Sequence, residues 1–331
     1  LSTASVLRVE NLEIVFETLH ARIHALNGVN LSVREGEVLG IVGESGSGKS
    51  SLALAIMRLL PVPAAKVLGD SRIIFGGKDI LDLSERQMEE VRGRGISMIF
   101  QEPLTSLNPV FSIGDQLGEA VEIGLEKERK KTGEKPGKQE IREQSIEWLR
   151  KVGLSDPDRA LQKYPHELSG GMRQRVVIGI ALATKPSLIL ADEPTSALDV
   201  TTQSQILDLL KSLIRETKTS VLFISHDLAV VAQIADRVVV MYAGMVIESA
   251  MTEEIFERPL HPYTEALLSC LPQETGGQNR LEVISGTVPD LAQTLSGCPF
   301  SARCKYVTKV CETMPNFKEV LPDRFVACWV R

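Results

Sequence analysis

Apolar residues along the chain come in short runs separated by helical periodicity. Val38 to Val42 is one such run, followed by a Gly-rich turn and a stretch carrying Leu52, Leu54, Ile56, Leu59 and Leu60, which predicts strand, loop and helix over residues 38–60. Further β-like runs at 73–75, 96–100, 188–191, 220–224 and 237–242 are separated by helical patterns at 84–92, 170–184, 199–215 and 227–235. Such alternation predicts an α/β fold with a largely parallel sheet. Between Phe100 and Leu188 the strand signal lapses, so a mostly helical insert is expected at about 102–186, with the charged stretch Glu126–Glu140 as a solvated loop. After Met251 the periodicity fades. Pro259, Pro262, Pro272, Gly276, Gly277, Gly286 and Pro289 punctuate a tail that is expected to form a small second domain, dividing the chain into 1–258 and 259–331.

Composition narrows the class. With 43% hydrophobic and 24% charged residues in 331, the chain has the balance of a soluble globular protein with ample material for a core. Its apolar runs are strand-length, far short of the roughly 20 residues a spanning helix needs, so a membrane role must come through partner subunits. Leu1 to Ser5 have neither the basic start nor the apolar run of a secretion signal, which predicts a cytosolic protein. A net charge of −6 provides no basic footprint, and nucleic acid is not among the expected partners.

Three motifs carry chemistry. Gly43-Glu44-Ser45-Gly46-Ser47-Gly48-Lys49-Ser50 fits the P-loop pattern G-x-x-x-x-G-K-S/T. In that pattern backbone N–H groups and a helix N-terminus wrap phosphates, Lys49 reaches the β/γ oxygens, and Ser50 can ligate Mg²⁺. Leu188-Ile189-Leu190-Ala191-Asp192-Glu193 is a buried strand ending in two carboxylates, one suited to holding Mg²⁺ and the other to orienting or deprotonating an attacking water. Leu168-Ser169-Gly170-Gly171 opens a helix and offers a second set of N–H groups to an anion. Since one P-loop already holds a triphosphate, this second helix start makes sense as the cap on a nucleotide carried by another copy.

With these motifs present in order, the sequence resembles the ABC ATPase family over about residues 6–258, the Leu-Ser-Gly-Gly signature being the most specific part. The resemblance implies a P-loop NTPase domain with a helical insert, hydrolysing ATP with Mg²⁺ as a head-to-tail dimer. It places nucleotide contacts at Gly43, Ser45, Gly46, Gly48, Lys49, Ser50 and Ser51, and from the partner copy at Ser169, Gly170 and Gly171. Gln101 in Phe100-Gln101-Glu102-Pro103 looks like the glutamine that senses the γ-phosphate and Mg²⁺. Ser196-Ala197-Leu198-Asp199 looks like the loop that crosses to the partner site, and His226 like the switch histidine. Ser50, Gln101 and Asp192 would serve the metal, and Glu193, His226 and Lys49 the reaction. Phe16 aligns best with the adenine-stacking aromatic, with His20 and Ile23 as competitors.

The tail is more specific still. Arg258-Pro259-Leu260-His261-Pro262-Tyr263-Thr264 and Gly297-Cys298-Pro299-Phe300-Ser301-Ala302-Arg303-Cys304 resemble the ATPase subunits of oligopeptide and dipeptide importers. This implies a peripheral place on the cytoplasmic face of a membrane, with two permease subunits, an extracytoplasmic solute-binding protein, and a second ATPase that is the same chain or a paralogue. A nickel or other solute importer, or a non-transport ABC ATPase, is the alternative.

Four of the five cysteines fall within the last 34 residues. Cys298, Cys304, Cys311 and Cys328 satisfy the ligand count of an iron–sulfur cluster or of structural zinc. Their gaps of five, six and sixteen residues lack the tight pair usual for zinc, and also lack ferredoxin spacing. The importer resemblance implies a 4Fe–4S cluster, with Zn as the alternative, acting as a staple for a Pro- and Gly-rich lobe. Cys270, in a helical stretch near Leu267 and Leu268, reads as buried packing.

Overall fold

A computed structural model describes residues 4–129, 133–196, 198–271, 284–293 and 295–330. Ala197 of the 196–199 segment and the tail positions Pro272, Gly276 and Gly277 lie outside the described residues, as do 130–132 of the expected loop. The strands are β1 (Ser5–Glu17), β2 (Arg22–Arg34), β3 (Val38–Val42), β4 (Ala65–Leu68), β5 (Arg72–Phe75), β6 (Lys78–Asp79), β7 (Ile96–Ile99), β8 (Leu188–Asp192), β9 (Ser220–Ser225), β10 (Arg237–Tyr242), β11 (Met245–Met251), β12 (Lys318–Leu321) and β13 (Arg324–Val326).

The chain divides into two units. The first takes residues up to Val6, Val33–Glu37 and Asp82–Phe223; the second takes Leu7–Ser32, Val38–Leu81 and everything from Ile224 on. In the first unit β7 and β8 pair in parallel, Ile96 opposite Leu188 and Ile99 opposite Ala191. Every residue of β8 is buried, which explains its uninterrupted apolar run. Between β7 and β8 the described residues form helices at Pro103–Ser106, Ile113–Glu128, Lys138–Lys151, Pro157–Leu161 and Gly170–Ala183, with no strand among them.

In the second unit β3 pairs in parallel with β10, and β10 pairs antiparallel with β11. Val38 N–H donates to the Asp236 carboxylate at 2.8 Å, tying the start of β3 to the residue before β10. β13 then pairs antiparallel with β11, and β12 with β13. The same unit holds a separate antiparallel sheet in which β2, β1, β5 and β6 follow one another and β4 joins β1.

The expectation of a largely parallel sheet is therefore corrected to mixed sheets. The antiparallel sheet escaped the period-two pattern because Asn11 takes a left-handed φ of 46° in the middle of β1, which interrupts the in-and-out alternation there. The helix after the P-loop ends at Ile56 and does not include Leu59 and Leu60. Arg58 turns left-handed at φ 50°, Pro61 and Pro63 follow, and Leu59 is exposed. The expected loop Glu126–Glu140 is shorter than its composition suggested, because helix continues to Glu128 and resumes at Lys138. At its helical start two charges are paired, Arg94 with Glu126 at 3.0 Å and Lys127 Nζ donating to the Arg94 carbonyl at 2.8 Å, whereas Glu134 and Lys135 in the loop are exposed. Cys270 is half-buried at the helix end, not buried.

The helices Ile113–Glu128 and Gly170–Ala183 meet at Gly124, where a Cβ would stand 2.1 Å from the Ala183 carbonyl oxygen. Gly124→Ala is expected to destabilise the fold by about 1–3 kcal/mol, through overpacking that backbone cannot easily relieve. A lowered urea midpoint checks this, and an unchanged midpoint contradicts it.

Candidate functional site

The P-loop follows β3, whose five residues are all buried, and feeds the helix Lys49–Ile56. Gly48 sits at the helix N-cap with φ 98°, and a Cβ there would lie 2.6 Å from the Ala25 carbonyl oxygen, so both conformation and space call for glycine. Lys49 is 6% exposed. Its ammonium donates to the carbonyls of Gly43 at 2.7 Å and Glu44 at 3.0 Å, and to Ser47 Oγ at 3.4 Å. Ser45, Gly46 and Ser50 are exposed on the loop and first helical turn, with Ser51 next along the helix. This arrangement presents backbone N–H groups, a hydroxyl and a fixed cation to an anion.

His226 is exposed just after β9. Its neighbour Asp227 caps the helix Leu228–Ile234, accepting the Ala229 N–H at 2.8 Å, and Asp227 N–H donates to Ser225 Oγ at 3.0 Å, so the turn that carries His226 is braced on both sides. Phe16 is half-buried on β1 opposite Ala65, His20 is exposed between β1 and β2, and Ile23 is half-buried on β2.

The other predicted positions belong to the first unit. Asp192 is the buried last residue of β8, and Glu193 follows it with a left-handed φ of 47°. Gln101 Nε2 donates to Glu193 Oε2 at 3.2 Å, which brings two of the predicted residues together. Ser169 caps the helix Gly170–Ala183 by accepting the Met172 N–H at 3.4 Å, and Gly170 lies exposed at the start of that helix beside Gly171. Asp199 caps the helix Val200–Thr217 through the N–H and hydroxyl of Thr202, and those hydrogen bonds hold its carboxyl below the usual range.

In the tail, none of the five cysteines is in a disulfide. Burial pushes the Cys298 thiol up to about 11, and charge on Cys311, Cys328 and Cys304 adds to the rise. Cys304 is raised as well, mainly by burial. Among the described residues, however, no group of three or more His, Cys, Asp or Glu side chains is arranged to hold a metal ion. The backbone N–H of Tyr306 donates to Cys304 Sγ and that of Val330 to Cys328 Sγ, each at 3.4 Å.

Sequence reasoning missed how the tail reaches the P-loop. Tyr263 and Arg303 stood inside recognised motifs, but nothing in their spacing pointed to Glu44, whose N–H donates to Tyr263 Oη at 2.9 Å. The turn that delivers Tyr263 rests on His261, which is 2% exposed and whose Nδ1 accepts the Tyr263 N–H at 3.0 Å. Glu248, fully buried on β11, accepts the N–H groups of Leu260 and His261 at 2.7 and 2.8 Å.

The ABC transporter family matches residues 26–196, and the C-terminal region of oligopeptide/dipeptide transporters matches residues 247–311. The chain is an ATPase of the ABC transporter family. It is 50% identical to a probable peptide ABC transporter ATP-binding protein of Sinorhizobium fredii, over 98% of this chain and 94% of that one. It is 46% identical to the dipeptide transport ATP-binding protein DppD of Bacillus subtilis, over 98% of this chain and 95% of that one. Among solved structures, an ATP-binding cassette determined as a dimer in a post-hydrolysis state with ADP and Pi is similar with a TM-score of 0.63 and 30% identity, over 74% of this chain and 98% of that one.

Buried neutral, His261 is held down to about 3 from its ordinary 6.5 by burial. The unfolded chain takes up its proton near 6.5 while the folded one resists until about 3, so stability is lost as pH falls through that window, by up to about 1.4 kcal/mol per pH unit. His261→Asn, whose amide oxygen can accept the Tyr263 N–H, is expected to be less acid-sensitive between pH 6.5 and 3. Urea midpoints measured across that range for both proteins check this, and parallel profiles contradict it.

Proposed function

We propose that this chain is the ATP-hydrolysing subunit of a membrane importer for dipeptides or oligopeptides, working as a head-to-tail ATPase dimer at the cytoplasmic face of the membrane. The observation that carries it is the near full-length similarity to peptide-transport ATP-binding proteins, which extends through the tail as well as the ATPase motifs. Among the described residues no helix is long and apolar enough to cross a membrane. Two permease subunits would therefore supply the pathway, with a solute-binding protein outside and a second ATPase, identical or paralogous, completing the dimer. The division into an ATPase domain, 1–258, and an importer-type appendage, 259–331, belongs to the same proposal.

The roles follow from the chemistry of the placed residues. Lys49, with Gly43, Ser45, Gly46, Gly48, Ser50 and Ser51, would hold the triphosphate, and Phe16 would stack on the adenine. Mg²⁺ would be held by Ser50, Gln101 and, through water, Asp192, where it supplies neutralisation of phosphate charge. Glu193 would take a proton from the attacking water, a reading supported by its contact with Gln101 and its exposure relative to buried Asp192. His226 would sense the γ-phosphate. Ser169, Gly170 and Gly171 at their exposed helix start, with Asp199 nearby in sequence, would close on the nucleotide of the other copy.

Glu193→Gln is expected to bind ATP normally and to slow hydrolysis by about 10²–10⁴-fold, while Lys49→Ala loses ATP binding. Proteoliposomes holding the chain with its permeases should take up labelled peptide only with ATP and not with either variant. Near-normal turnover in Glu193→Gln removes it as base, and ATP-driven uptake of a different solute class but not of peptide overturns the importer reading.

We further propose that Cys298, Cys304, Cys311 and Cys328 hold a 4Fe–4S cluster, which would supply four metal–thiolate bonds as a structural staple. What supports this reading is that Cys304 Sγ and Cys328 Sγ each accept an N–H from two residues on, the kind of hydrogen bond that steadies a metal-bound sulfur, while it is chiefly burial that raises the free thiols of Cys298 and Cys304. Anaerobically purified protein is expected to be brown, with a broad blue-edge absorption lost in Cys298→Ser. Colourless protein with one equivalent of zinc overturns the cluster.

A further inference from the structure

Glu44, the second residue of the P-loop, is held at every polar group it has. Its N–H donates to Tyr263 Oη at 2.9 Å and its carbonyl accepts Lys49 Nζ at 3.0 Å. Its carboxylate takes a two-pronged contact from Arg303, Nη1 to Oε2 at 2.9 Å and Nη2 to Oε1 at 3.0 Å. Two of these three partners come from the C-terminal segment.

Arg303 is built to stay where it is. Its side chain is 5% exposed, against 25% for that of Glu44. The remaining donors reach the Ser285 carbonyl from Nε at 3.0 Å, the Ile284 carbonyl from Nη2 at 3.1 Å and Tyr242 Oη from Nη1 at 3.2 Å. The guanidinium also lies over the rings of Tyr242 and Phe300, at 5.8 and 5.9 Å from their centroids. Tyr263 packs against the same two rings, 4.6 Å from Tyr242 and 5.4 Å from Phe300. A cation this well placed can do two things for the loop beside it. The planar fork fixes the carboxylate's position, which a lysine could not do. It also cancels a negative charge that would otherwise stand within a loop whose task is to receive a polyanion.

We propose that Arg303 is a positioning residue for ATP: by pairing with Glu44 it holds the P-loop in its phosphate-accepting shape and removes a like charge from the triphosphate's path. The tail thereby sets nucleotide affinity through a single ion pair. This rests on the P-loop being the ATP site.

The test is the Kd of the full-length chain for magnesium–ATP by calorimetry. Arg303→Met should weaken binding about tenfold, the scale of a lost partly buried charge pair. The double variant Arg303→Met/Glu44→Gln should bind more tightly than Arg303→Met alone, because the unpaired carboxylate is gone. In hydrolysis assays the Arg303→Met effect should raise KM and leave kcat at saturating ATP near that of the parent, whereas a loss of fold would lower kcat by reducing the active fraction and leave KM unchanged. An unchanged Kd in Arg303→Met overturns the proposal, and so does a double variant as weak as or weaker than the single one. Where Arg303→Met fails to fold by circular dichroism, Arg303→Lys takes its place: it keeps the charge and loses the fork, a several-fold weaker Kd is expected, and an unchanged one overturns the proposal. Failure of the P-loop reading shows separately, as parental ATP affinity in Lys49→Ala, and takes this proposal with it.

Discussion

An ammonium that is almost out of water must be surrounded by oxygen, and Lys49 is in that position. The P-loop solves the problem by turning its own carbonyls of Gly43 and Glu44 inward. That geometry needs a rigid platform behind it, which β3 provides by being buried along its whole length and pinned to Asp236 at its start. It also needs a helix start that tolerates a left-handed residue against the Ala25 carbonyl, which only glycine allows at position 48. A phosphate entering this loop would compete for the same ammonium, so the carbonyls that hold it form a preorganised receiver, already paid for in folding.

The two carboxylates at the end of β8 illustrate how one short segment makes different groups from similar side chains. Asp192 ends the strand and is buried, whereas Glu193 lies one residue on, in a backbone conformation that costs a non-glycine residue about 1–3 kcal/mol. The cost is met locally: the Glu193 carbonyl accepts the N–H and hydroxyl of Ser196 at 3.3 and 3.1 Å. The twist turns the second carboxylate out of the strand's plane and toward Gln101.

Much of this was legible in the chain because phosphate chemistry demands contiguous residues. A strand, a glycine loop, a lysine and a hydroxyl must follow one another within a few positions, and so must a buried strand and its two terminal acids. The antiparallel sheet was hidden by Asn11, and β11 by the polar residues Glu248 and Ser249, which are buried for the hydrogen bonds they make rather than for their surface. The four cysteines announced a count but not a geometry, since local spacing does not say how a chain with few apolar contacts will fold back. Least visible of all was the pairing of Glu44 with Arg303, separated by 259 positions. No periodicity links residues that far apart, and both belong to types that normally face solvent.

The strands β12 and β13 also do something for the sheet they join. Through the pairs Glu248 to Val326 and Ser249 to Phe325, and the Ala327 N–H to Ile247 carbonyl bond at 2.8 Å, β13 occupies hydrogen-bonding groups that β11 would otherwise present along an open edge. An open edge is a template for other chains. A fragment cut after the helix Thr252–Glu257 would therefore keep the nucleotide motifs but carry a sticky flank, and would tend to precipitate or pair with itself. The segment after Glu257 thus covers one flank of β11 through β13 and meets the phosphate loop through Tyr263 and Arg303.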